Sequence, residues 1–116
     1  MPRSVRGRIL AHAAVLAVTL ASAPAFADRE LCARGTKFRG RAIDLDVKSA
    51  DIHDVFRVLA DAGRANLVVS DEVAGKVTLR IKRAPWDQIA CAVAALHHLE
   101  ISVQGSVLIV RPTPRR

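Results

Sequence analysis

The sequence predicts an α+β domain made of two strand–helix–strand units and a final strand, in the order βαββαββ. Three observations predict it. At 75–88, GKVTLRIKRAPWDQ, Val77, Leu79 and Ile81 alternate with Lys76, Thr78, Arg80 and Lys82 and then meet Pro85, Trp86 and Asp87. That is a half-buried strand running straight into a helix. Displacing the chain by 34 positions lays Ile43 on Val77, Leu45 on Leu79 and Val47 on Ile81. The same displacement lays Ile52 on Trp86, Val55 on Ile89 and Leu59 on Val93. Both halves therefore carry the same elements in the same order. Finally, Gly105-Ser106 between two apolar runs marks a two-residue hairpin. Two such units bury their helices against each other and cover them with small β-sheets, as a pseudo-two-fold sandwich.

The first strand turns Ile43, Leu45 and Val47 inward and Asp44, Asp46 and Lys48 outward. Asp51 caps the first helix and Asp54 adds charge to its first turn. Ile52, Val55, Phe56, Leu59 and Ala62 share one face of that helix, and Gly63 ends it. Residues 66–70 make the second strand and 71–75 the connection to the third, whose inward residues are Val77, Leu79 and Ile81. Under the displacement Asp44 and Asp46 meet Thr78 and Arg80. The first strand is thus acidic on its polar face and the third basic, and pairing them is favourable by about 0.2–1 kcal/mol per pair. The second helix runs from about 85 to 97 with Trp86, Ile89, Val93 and Leu96 inward and alanines at 90, 92, 94 and 95 on its other faces. Trp86 is assigned to the core, because its mate in the repeat is Ile52. Strands at 99–103 and 107–110 follow, Pro112 ends the last, and 113–116 is a basic tail.

The N-terminus has a different character. Arg3, Arg6 and Arg8 precede an apolar run at 9–20 and then Ala-Ser-Ala-Pro-Ala-Phe-Ala. This is a signal peptide over 1–27, cleaved after Ala27. The run is short for a membrane span. Cleavage removes three arginines and no acid, so the net charge falls from +7 to +4. A mildly basic exported domain with only Phe38, Phe56 and Trp86 as aromatics has no ladder for stacking bases, which excludes nucleic acid. Residues 28–41 are polar and basic and are expected as an irregular lead-in.

Two cysteines remain, Cys32 and Cys91. In an oxidising compartment an even count points to one disulfide. Closing so long a loop stabilises a small domain by roughly 3–5 kcal/mol. A reactive thiol pair lacks C-x-x-C spacing, and two free buried thiols are the third option.

No catalytic or cofactor chemistry is legible. His97 and His98 are adjacent and point about 100° apart on a helix, and no carboxylate sits at ligand spacing. Asp44 with Asp46 and Asp51 with Asp54 are explained as solvated or capping groups. Phosphate loops and Ser-His-Asp arrangements are absent. A small-molecule substrate is not expected. Lys76, Arg80, Lys82 and Arg83 form a basic strip that suits a protein partner, with a solvated strand face as the plain alternative.

The stretch IDLDVKSADIHDVFRVLADAGRANLVVSDEVAGKVTLRIKRAPWDQ, with the closing hairpin at 103–110 and Arg111-Pro112, resembles the short N-terminal domain shared by secretins and TonB-dependent receptors, in its type IV pilus secretin form. The resemblance spans about 42–112. It departs from the usual pattern at Ile89-Ala90-Cys91 and at both cysteines. It implies a non-enzymatic periplasmic interaction module, touching membrane only peripherally and associated with the outer membrane through its machine. Its partner would be a secretin, pilus or inner-membrane platform component of a type IV pilus or type II secretion system. A receptor-type signalling module contacting an inner-membrane regulator is the alternative, and a thiol-disulfide protein a third. Secretins continue into further domains and a barrel, so the short chain is expected to act as the docking domain alone.

Overall fold

The computed structural model describes residues 29–114; the signal-peptide reading of 1–27 and the end of the basic tail lie outside them. Eight elements follow in order: β1 (Arg29–Glu30), β2 (Ala42–Asp51), α1 (Ile52–Ala62), β3 (Asn66–Val69), β4 (Lys76–Pro85), α2 (Trp86–His97), β5 (Leu99–Gln104) and β6 (Val107–Pro112). The fold is α+β, with the predicted two helices and small sheets. β2 and β4 form an antiparallel ribbon, and the other sheet has the order β1-β5-β6-β3. Each helix touches the other helix and strands of both sheets, so the core lies where ribbon, helices and larger sheet meet.

The repeat is a property of the backbone. β2 and β4 begin and end 34 residues apart, and so do the helix caps Asp51 and Pro85, both extended. Among the described residues four that are not glycine have positive φ: Ser49, Arg64, Arg83 and His98. They form two pairs with the same 34-residue offset. Ser49 and Arg83 mark a bulge in each ribbon strand, where the register slips between Val47 and Ala50 and between Ile43 and Leu45. Arg64 and His98 are left-handed residues that turn the chain after each helix. The bulges carry the pairing past the predicted strand ends, so both strands reach the first residue of the helix that follows.

The symmetry stops at β6. β3 and β5 are equivalent in the repeat, yet they do not pair, because β6 lies between them. It runs parallel to β3 and antiparallel to β5. The β5–β6 turn is Gly105-Ser106, with Gln104 opposite Val107 and positive φ at Gly105. Asn66 fastens it: its amide donates to the Ser106 carbonyl at 2.8 Å and its side-chain amide to Ser106 Oγ at 3.1 Å.

Ile52, Val55, Phe56, Leu59, Val77, Ile89 and Val93 are buried, joined by Ile101, Leu108 and Val110 from the larger sheet. Burial of each large apolar side chain contributes about 1.5–3 kcal/mol. The ribbon residues Ile43, Leu45, Val47, Leu79 and Ile81 are only half-buried, since two strands cover the helices incompletely.

Three expectations need correction. Leu96 is 71% exposed and outside the core. α2 is rotated so that Ala90 and Ala94 face inward beside Ile89 and Val93, because small side chains let α1 approach closely. Trp86 is half-buried, packed on the core's edge. The lead-in is not wholly irregular: Arg29 and Glu30 pair with Val103 and Ser102, and the Leu31 amide donates to the Ile101 carbonyl at 2.9 Å.

Candidate docking surfaces

Alternation along β4 turns Lys76, Thr78, Arg80 and Lys82 to solvent, and Arg83 is exposed at the bulge. On β2, Asp44, Asp46 and Lys48 are likewise exposed, and Asp46 lies directly across from Arg80. Asp44 does not add to a surface charge pattern freely. Its Oδ1 accepts the bulge amide of Arg83 at 2.7 Å. The equivalent residue on β4, Thr78, accepts the Ser49 amide on its Oγ1 at 2.9 Å. Each strand thus supplies the acceptor for its neighbour's bulge. Among the described residues the ribbon has no third strand, so the outer edges of β2 and β4 present main-chain donors and acceptors.

Cys32 and Cys91 are bonded, with 5.5 Å between Cα atoms, and no described cysteine is free. The bond ties the lead-in to α2. Two further contacts do the same: the Gly40 amide donates to Asp87 Oδ1 at 3.2 Å, and the Trp86 amide donates to the Arg41 carbonyl at 3.0 Å. Asp87 Oδ1 also accepts the Gln88 amide at 3.2 Å.

The lead-in closes one wall of a cleft of about 390 Å³ that sequence reasoning missed. Its floor includes Leu31, Leu108 and the indole of Trp86, and its mouth carries Arg29, Lys37, Arg39 and Arg64. Gly40 and Gly63 border the indole: a Cβ on either would come within 3.0 Å of the ring. Gly63 has negative φ, and the left-handed residue is Arg64. The glycine at the end of α1 therefore makes room for a tryptophan rather than for a turn. The basic density of the lead-in was the available signal for the cleft. Its proximity to the α1–β3 turn was not.

The histidines are dispersed. His53 Nε2 lies 2.7 Å from the Val73 carbonyl oxygen, His97 Nε2 is buried without a partner, and His98 is exposed at the end of α2. No group of three or more His, Cys, Asp or Glu that could hold a metal occurs among the described residues. No described helix is long and apolar enough to cross a membrane.

No family model matches the chain. The type IV pilus biogenesis and competence protein PilQ of Neisseria gonorrhoeae is 40% identical over 79 residues, 68% of this chain and 11% of that protein. The fimbrial assembly protein PilQ of Pseudomonas aeruginosa is 36% identical over 75 residues, 65% of this chain and 10% of that protein. The chain thus spans about a tenth of the length of these curated relatives. Among solved structures, the Vibrio cholerae type IV competence pilus secretin PilQ matches at TM-score 0.53 and 32% identity over 59% of this chain and 16% of that one. The N0 domain of the type II secretin from enterotoxigenic Escherichia coli matches at TM-score 0.57 and 15% identity, over 65% of this chain and the whole of that domain.

Proposed function

Because this is a secretin-related domain, homologous to part of the type IV pilus secretins and folded like a secretin N0 domain, we propose that it is a periplasmic protein-docking module of a secretin-type envelope machine. The observation that carries the reading is the conjunction of 40% identity to a pilus secretin with a fold that covers an entire N0 domain. The chemistry is recognition, not catalysis. The open ribbon edges accept a partner's extended strand through main-chain hydrogen bonds, and the side chains of Lys76, Arg80 and Lys82 select an acidic one. The partner is a secretin, pilus or inner-membrane platform component, and export by the 1–27 segment places the domain in the same compartment.

The test is site-specific photocrosslinking in cells from position 82 of the full chain. A crosslinked secretin, pilus or inner-membrane platform protein is expected, and Arg80→Glu should weaken the adduct. Crosslinks only to an anti-sigma regulator, or a protein retained in the cytoplasm, would overturn the proposal.

A further inference from the structure

The cleft beside Trp86 is a second surface, separate from the ribbon: none of Lys76, Arg80, Lys82 or Arg83 lines it. Four cations surround it, from three places in the chain: Arg29 in β1, Lys37 and Arg39 in the lead-in, and Arg64 after α1. All four are exposed, and none is in either ion pair found among the described residues, Arg57–Asp54 and Arg111–Glu100. The cleft's one carboxylate, Asp87, is buried and accepts two backbone amides through Oδ1. Its charge offsets one of the four cations, and the lining keeps a net positive balance. Beneath the charges the floor is apolar in part: Leu31 and Leu108 show only their edges, and the half-buried indole lies against Gly40 and Gly63, with Thr36 and Ser106 beside them.

We propose that this cleft binds an extended acidic segment of a protein partner, with an apolar side chain inserted against Trp86 and carboxylates flanking it on Arg39 and Arg64. Rim arginines engage carboxylates through charge-assisted hydrogen bonds. The floor supplies the desolvated anchor site that such a segment needs. The volume, about 390 Å³, suits a few side chains and not a folded domain. The lead-in wall is positioned by the Cys32–Cys91 bond and by the Gly40–Asp87 hydrogen bond, so the site is formed before the ligand arrives. The inference rests on the docking reading above and adds a site and a ligand chemistry to it.

Trp86 is the chain's single tryptophan, so its fluorescence reports on this cleft alone. The experiment pans a displayed library of random heptapeptides on the immobilised protein and titrates the selected peptides against Trp86 emission. Enrichment of Asp or Glu on both sides of an apolar residue is expected, with a change in Trp86 emission on binding. The double variant Arg39→Glu, Arg64→Glu should weaken binding by about ten-fold or more. Arg39→Gln with Arg64→Gln provides a milder version, and both are checked for unaltered thermal melting. Arg57→Glu, exposed on α1 and outside both surfaces, should leave affinity within about two-fold. Selection of neutral or basic peptides, or binding insensitive to the Arg39 and Arg64 changes, would overturn the proposal. So would full competition by millimolar inorganic phosphate, which would mark a small-anion site. Failure here with an Arg80-dependent crosslink in cells leaves the docking function standing. A selected acidic peptide without any secretin-machine crosslink does the reverse.

Discussion

The backbone amide of Arg83 donates to Asp44 Oδ1 across the ribbon at 2.7 Å. Thirty-four residues separate Ser49 from Arg83 and Asp44 from Thr78, and the Ser49 amide donates to Thr78 Oγ1 at 2.9 Å. The two bulges are therefore one device used twice, each strand capping the unpaired amide of the other. Removing an acceptor strands a bulge amide. Asp44→Ala and Thr78→Val are each expected to destabilise the domain by about 1 kcal/mol, measured by urea unfolding. A double mutant close to the sum would show that the caps act separately.

The four positive-φ residues carry side chains in a conformation that costs an L-residue about 1–2 kcal/mol. Ser49→Gly, Arg64→Gly, Arg83→Gly and His98→Gly should each be neutral or stabilising, by up to about 1 kcal/mol. Glycine at Ala50, beside the first bulge and with negative φ, should destabilise by about 0.5–1 kcal/mol. Melting temperatures of the five variants decide the point.

Gly63 faces the indole of Trp86, so Gly63→Ala should destabilise by about 1–3 kcal/mol through overpacking. In a Trp86→Leu background the same change should cost much less. A cycle of the four proteins measures the coupling. Equal costs in both backgrounds would assign Gly63 to the turn and not to the ring.

Reduction of the Cys32–Cys91 bond should lower stability by roughly 3–5 kcal/mol, read from urea midpoints with and without reductant. The oxidised protein should show no titratable thiol, folded or unfolded in urea, until reductant is added.

The rotation of α2 is tested by a contrast. Leu96→Ser on the exposed side should change stability by less than about 0.5 kcal/mol. Ala90→Leu or Ala94→Leu on the inward side should cost about 1–3 kcal/mol.

Much of the framework was legible because apolar periodicity is a local property. The alternation from Ile43 to Val47 and the helical spacing of Ile52, Val55, Phe56 and Leu59 each lie within one element, and all of these side chains do turn toward the interior. Gly105-Ser106 closes its hairpin for an equally local reason. The face of α2 was misjudged because hydrophobicity favours Leu96 over alanine, while close packing of two helices favours alanine. β1 was missed because two residues have no period, and only the sheet edge defines them as a strand. Gly63 looked like an ordinary helix end because sequence cannot show a ring from 23 positions further along lying against it. The cleft was hidden for the same reason on a larger scale: its wall, floor and mouth come from segments that meet only in three dimensions.

Order and spacing of residues alone determined that this chain holds two copies of one strand–helix–strand unit, since each copy must pattern its own buried face. Folding decided where the copies differ and what they enclose. β6 separates β3 from β5, and the lead-in, held to α2 by a disulfide, closes a cationic cleft over Trp86. Those outcomes depend on which surfaces remain unpaired once the helices have packed, and no single stretch of the chain contains that information.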